Sequence, residues 1–256
     1  MRYNILMHIK WSFRRQFLYY GVAVVVLAVL SLATYTLFLN SPPSCSDGRQ
    51  NADEHGVDCG GSCSLVCAVE AHDPVVLWAR AFRTSPQTYT VAAYVQNPNV
   101  SASTKALPYV LQLFDDHNLL VVEISGSLDI PPVRTVPIVA PNVVVGQRTV
   151  ARTLLSFTGG PPVWRKSAPL PTLRIGNQRL AADGSTLSAT IYNDSNVEVR
   201  DVVASAVLFD TVGTALSASK SILSRLGRKE SQDIVFTWSG GVQGSIRAEI
   251  TILSAF

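Results

Sequence analysis

Residues 91–99, VAAYVQNPN, and residues 187–196, LSATIYNDSN, decide the fold. Both are short runs of Val, Ile, Ala, Thr and Tyr that suit a pleated surface, and both break at an Asn-containing turn. A second pair travels with them, LQLFDDHNLLV (111–121) and AVLFDTVGTAL (206–216). The offset is about 95 residues for both pairs, so the spacing inside each half is kept. In each half a strand ends in Leu-Phe-Asp, at Asp115 and Asp210. An Asp at such a point accepts hydrogen bonds from backbone amides two residues on, and this predicts hairpins through 116–118 and 211–213.

Working outward, the same character continues in VVLWARAF (75–82), LLVVEISG (119–126), RTLLSF (152–157), QDIVFTW (232–238) and SIRAEITIL (245–253). Strands at this spacing, parted by Pro, Gly, Asn and Asp, predict an all-β chain of two tandem β-sandwiches. The first is drawn at 73–160 and the second at 172–256, with a stiff Pro-rich linker at 161–171 between them. Each half is near 85 to 90 residues, enough for a modest single core. With its Leu-Phe-Asp strand end and Asn-rich turn, the pattern resembles the FxLYD-type and related immunoglobulin-like domains of envelope proteins. Leu111 and Ala206 stand where the Phe of that family's name would be. The resemblance implies immunoglobulin-like sandwiches that serve as binding or spacing modules, and it brings no catalytic residues; the two are expected to be held in line by the stalk.

All four cysteines, Cys45, Cys59, Cys63 and Cys67, lie in a polar stretch drawn at 41–72. An even count in so short a segment points to two disulfides in an oxidising compartment, with three pairings open. The spacings do not form the C-x2-C pairs of a zinc site, and His72 is the one histidine suitably placed after them. Between the cysteines stand Asp47, Asn51, Glu54 and Asp58 among several glycines. Oxygen ligands on a loop that glycines allow to curl suit a hard cation such as Ca2+, although the EF-hand order is not met. The competing reading has the same side chains capping turns inside a disulfide knot. The string C-x-D-G-x-x-N-x-x-E-x-G-V-D-C-G-G-x-C, from Cys45 to Cys63, resembles a cysteine motif repeated across bacterial surface and secreted proteins. The resemblance implies a surface location and makes Asp47, Asn51, Glu54 and Asp58 the candidate ligands.

Upstream, Phe17 to Leu39 (FLYYGVAVVVLAVLSLATYTLFL) carries no charge. About 23 residues at 1.5 Å each make a helix of roughly 35 Å, enough to cross a hydrocarbon core of about 30 Å. Arg2, Lys10, Arg14 and Arg15 precede it without an acid, whereas Asp47, Asp53, Glu54 and Asp58 follow. The positive-inside rule then keeps residues 1–16 in the cytoplasm, against anionic lipid, and sends the C-terminal part outside. A cleaved signal and a twin-arginine export signal are the alternatives. The first has too long an apolar core, and the second departs from its pattern at Phe13.

The net charge of +3 belongs to the N-terminal segment, which leaves the exposed part near neutral and argues against a nucleic-acid face. No Gly-x-Ser-x-Gly elbow, HExxH or phosphate-cradling loop is present. His117 beside Asp115 and Asp116 is the one acid–base cluster, and a solvated turn is its simpler reading. Trp164-Arg165-Lys166 reads as an interdomain or partner contact. Asn99-Val100-Ser101 and Asn193-Asp194-Ser195 fit the glycosylation pattern. These features together predict a non-enzymatic, single-pass plasma-membrane protein. It would display two β-sandwich modules to a protein or glycan partner outside the cell, with Ca2+ the one cofactor suggested. The alternative is a structural subunit of an envelope assembly such as a secretion or pilus-like machine.

Overall fold

The computed structural model describes residues 11–39, 42–168, 170–239, 241–244 and 247–253. The expectation for residues 1–10 lies outside them. The chain divides into two units, Met1–Asp58 and Cys59–Phe256.

In the first unit, α1 (Trp11–Thr34) runs into a π-helical turn at Tyr35–Leu39. The stretch Phe13–Leu37 is long and apolar enough to cross a membrane. From Phe17 onward its side chains are apolar on every face, so no stripe is set aside for a protein core. The threonines at its end do not need a partner helix. Thr34 Oγ1 donates to the carbonyls of Leu30 (3.0 Å) and Ser31 (2.9 Å), and Thr36 Oγ1 to that of Ala33 (3.1 Å).

The second unit holds thirteen strands among its described residues. They are β1 (Val75–Ser85), β2 (Thr88–Gln96), β3 (Ala102–Phe114), β4 (Leu120–Ile130), β5 (Thr135–Val144), β6 (Arg152–Phe157), β7 (Arg165–Lys166), β8 (Leu173–Leu180), β9 (Thr186–Asn193), β10 (Val199–Phe209), β11 (Ala215–Leu226), β12 (Ser231–Thr237) and β13 (Arg247–Leu253). The sheet orders are β1-β2-β5 and β4-β3-β6 in the first half, and β8-β9-β12 and β11-β10-β13 in the second. The two halves share one strand order, that of immunoglobulin-like sandwiches built from antiparallel strands. The two sequence pairs fall on β2 and β9 and on β3 and β10, which occupy corresponding places.

Each sandwich has its own core. Val91, Val95, Leu111, Leu113 and Val136 fill the first, and Leu187, Ile191, Leu208, Leu226 and Phe236 the second. All are fully buried, which is worth about 1.5 to 3 kcal/mol for each large side chain. A third cluster joins the two sandwiches. Ala92 and Tyr94 leave the opposite face of β2 and, with Val139, Trp78 and Phe82, pack on Val207, Phe209, Ala215 and Ala218. Trp78 stacks on Tyr94 at 4.7 Å, and Tyr94 meets Phe209 edge-on at 6.4 Å. Strands β2 and β10 are therefore buried on both faces, which is why they read as runs rather than clean alternations. The expected arrangement of two modules set in line is corrected: they pack sheet against sheet, because those outer faces are apolar.

The corresponding faces of the other two sheets are more polar, although exposed Leu154 and Val235 stand opposite Gln112 and Ser188 there. Ser188 and Thr190 stand where Ala92 and Tyr94 stand, and Gln112 stands where Val207 does. Gln112 donates to Glu123 (2.9 Å), while Thr190 donates to Asp233 (2.7 Å).

Residues 161–171 are not a free linker. Arg165–Lys166 pairs with Ala102 and Ser103 of β3, Leu65 bridges to Arg165, and the Val66 amide donates to the Trp164 carbonyl (3.0 Å). Trp164 is buried, so this segment is knitted to both the cysteine stretch and the first sandwich.

Candidate functional site

In the first unit, the four oxygen-bearing residues of the cysteine motif come together in one hydrogen-bonded circuit. Asp47 accepts from the Arg49 amide (2.9 Å) and from Asn51 Nδ2 (2.7 Å). Glu54 accepts from the amides of Asn51 (3.2 Å) and Asp58 (3.4 Å), and Asp58 from the Gly48 amide (3.0 Å). The tight path is possible because Gly48 (φ 71°) sits in the left-handed region, which Asp58 (φ 56°) also occupies. The Asn51 bond, followed by those of the Arg49 and Ser44 amides, holds the Asp47 carboxyl below its ordinary range. Asn51 Oδ1 is buried without a hydrogen-bond partner.

All four cysteines are in disulfides, which removes thiolate ligation of zinc. In the second unit, the Cys59–Cys67 bridge closes a short loop, and the segment after it is fastened to the first sandwich at His72. The Asn99 side chain takes both backbone groups of His72, accepting from its amide and donating to its carbonyl at 2.8 Å each.

The paired asparagines turn out to be structural. Asn97 Nδ2 donates to the carbonyls of Ala102 and Pro131 (2.8 Å each), and its Oδ1 accepts from the Asn99 amide. Asn193 repeats this, donating to Val197, Leu226 and Gly227 and accepting from the Ser195 amide. Each fastens the end of its strand to two neighbouring loops. Asn99 and Asn193 are buried, with their amide nitrogens already engaged, so neither triplet presents a glycosylation acceptor on the folded chain.

The Leu-Phe-Asp turns match expectation. Asp115 Oδ1 accepts from the amides of His117 and Leu119, and Asp210 Oδ1 from those of Val212 and Thr214. Arg148 adds an ion pair to Asp115. His117 pairs with Asp116 at 2.8 Å, and both are exposed. Asp115 thus holds its turn together. The Leu119 amide first, then Arg148, lower its pKa. The stability it contributes is complete above the unfolded value of about 3.9 and is lost as pH falls through the lower folded value. Asp115→Asn is therefore expected to be less stable than the parent at pH 7, with the gap closing below about pH 4. Urea midpoints measured between pH 3 and 7 check this.

Sequence reasoning missed a cleft of about 1010 Å³ between the sandwiches. It is lined by the β1–β2 hairpin, Asn142, β11 and the segment after β12. Trp238 lines it and is buried, and its indole nitrogen has no partner. The one available signal was Trp-Ser-Gly-Gly (238–241), a bulky aromatic at a strand end followed by glycines.

No family model and no curated protein matches the chain. Among solved structures, a transglutaminase of red sea bream aligns over 69% of this chain and 29% of its own, at 12% identity and a TM-score of 0.21. An exo-chitosanase of Amycolatopsis orientalis aligns over 69% and 25%, at 12% identity and a TM-score of 0.26. The chain spans less than a third of the length of either enzyme. Likeness at this level carries no argument about function.

Proposed function

We propose that the chain is a non-enzymatic, membrane-anchored protein that holds its two sandwiches outside the cell for binding. One observation carries the reading: an apolar helix, uncharged from Phe17 onward, is followed by four cysteines that are all oxidised. Arg14 and Arg15 stand at the start of the helix, just before its uncharged part, and the basic flank is the side that stays in the cytoplasm. Because the sandwiches share a buried face, they act as one rigid head rather than as two tethered modules. The test is an impermeant amine label applied to intact cells, with Lys166 and Lys220 as exposed targets. Labelling before lysis supports the reading, and labelling only after lysis overturns the orientation. A chain lacking residues 73–256 that still copurifies with its membrane neighbours would favour the envelope-assembly role instead.

The reading extends to a cation in the cysteine motif. Asp47, Asn51, Glu54 and Asp58 would supply the oxygens, and the unpartnered Asn51 Oδ1 is the support for it. Each carboxylate keeps lone pairs beyond those its amide donors use. Calorimetry on the full chain in nanodiscs is expected to show saturable Ca2+ binding at about 10⁻⁴ to 10⁻³ M, the range of extracellular modules. Absence of heat, with no change on adding chelator, leaves the turn-capping role alone.

A further inference from the structure

Resting on the membrane-anchored reading, we propose that one end of the first sandwich, the end to which the cysteine stretch is fastened, seats on the bilayer surface through valines at its loop tips. Four segments meet there and are stitched by hydrogen bonds. The Asn99 side chain holds His72, and the Val133 amide donates to the Asn99 carbonyl (3.1 Å). The Val66 amide donates to Trp164 (3.0 Å) and the Ser167 amide to Ser101 (2.9 Å). Each segment carries one exposed valine: Val69 (93% exposed), Val100 (81%), Val133 (65%) and Val163 (59%). Scattered exposed valines are ordinary. Val133 is not, because it is a β-branched residue held in the left-handed region (φ 49°).

The second sandwich shows what folding alone asks for at that place. Asn97 and Asn193 fasten equivalent loops: their side chains donate to the carbonyls of Pro131 and Gly227, and their amides to those of Arg134 and Glu230. Val133 therefore corresponds to Lys229, which has the same backbone conformation (φ 54°), an unbranched side chain and a bond to the Asp194 carbonyl (2.6 Å). The turn beside it, Asp194-Ser195-Asn196, is polar, and Val197 is the one exposed valine in the described loops of that end. Strain kept at a solvent-facing valine, where the paired module has lysine, points to a contact rather than to folding.

The partner is a lipid surface on two grounds. The chain comes from the apolar helix into the second unit at Cys59, and the segment from there to His72 is fastened to this end, so this is the end the anchor leads to. Valines carried on separate loops suit a fluid interface, which takes each tip independently and asks for no fixed complementarity. Arg134, Arg165 and Lys166 are exposed on the same segments, against the carboxylates of Glu70 and Asp73, and can meet lipid phosphates.

The experiment uses the full chain, labelled with fluorotryptophan, in phosphatidylcholine nanodiscs doped with a lipid whose headgroup chelates gadolinium. Broadening of the four fluorine resonances reports how near each tryptophan lies to the bilayer surface. Trp11 opens α1 and is the reference, Trp164 follows Val163, and Trp238 lies at the other end, beside the β1–β2 hairpin. Gadolinium is expected to broaden Trp11 and Trp164 and to leave Trp238 sharp. Val133→Gly combined with Val100→Ser removes the apolar tips and suits the left-handed backbone, so Tm should hold or rise while Trp164 loses its broadening. Trp164 as sharp as Trp238 in the parent, with Trp11 broadened, overturns the seating and leaves the anchored reading standing. Broadening of Trp164 that survives in the double variant assigns it to the tether alone and overturns the role of the valines. A sharp Trp11 overturns the anchored reading itself.

Discussion

Asn193→Ala is expected to destabilise the second sandwich by about 3 to 5 kcal/mol, a large share of the whole stability of such a domain. The side chain is buried and donates to three backbone carbonyls, those of Val197, Leu226 and Gly227. It also accepts from both the amide and the hydroxyl of Ser195. Alanine leaves these groups out of water with nothing to pair, and each orphan costs about 1 to 3 kcal/mol. Asn193→Asp should be no better, since its carboxylate cannot donate and faces carbonyl oxygens. Asn97→Ala is the matched test in the first sandwich, where two carbonyls are orphaned. Urea unfolding followed by far-ultraviolet circular dichroism measures all three. A loss below about 1 kcal/mol for Asn193→Ala would show that water replaces the amide freely.

The second large effect is expected at the shared face. Tyr94→Thr combined with Val207→Gln places on it the residues that the corresponding solvent-facing positions carry, Thr190 and Gln112. Each sandwich already tolerates such a residue on an outer strand face, so both should still fold. The contact between them should lose about 4 kcal/mol, from the stacked Tyr94 ring and the buried Val207 methyls. The parent should melt in one transition, and the double variant in two. Tyr94 adds a test of its own, because its hydroxyl is buried without a partner and its pKa is raised, chiefly by that burial. Tyr94→Phe should therefore preserve the single transition and hold or raise Tm.

The readable parts of the fold were those governed by local chemistry. Strands β2, β3, β9 and β10 showed in the sequence because branched and aromatic side chains line them, and the turns at Asp115 and Asp210 because their amides need an acceptor. Four strands escaped, the two-residue β7 and three longer ones. In β5, Pro137 and Pro141 argue against a strand, yet Pro137 stands opposite Tyr94 and Pro141 falls in a register shift, with pairing to β2 kept on either side of it. In β8 the ladder is interrupted between Gly176 and Arg179, with Asn177 in the left-handed region, so no alternation survives. In β11, serines fill positions that face the neighbouring sheets, and ALSASKSILSRL lacks an obvious apolar face. The sheet-on-sheet contact was present in the double-sided burial of AAY (92–94), but nothing local distinguishes such a run from an ordinary core strand. The motif ligands were legible as a set. That their carboxylates turn onto backbone amides depends on backbone angles at Gly48 and Asp58, which composition does not reveal.

The shared face joins unlike surfaces: β1-β2-β5 of the first sandwich meets β11-β10-β13 of the second. Order along the gene is therefore not interchangeable. A chain encoding the second half ahead of the first would bring Thr190 against Gln112 and leave Tyr94 and Val207 on opposite outside surfaces, sticky and complementary. Such a permuted molecule would join head to tail with its copies and grow into fibres, whereas the natural order spends that same complementarity once, internally.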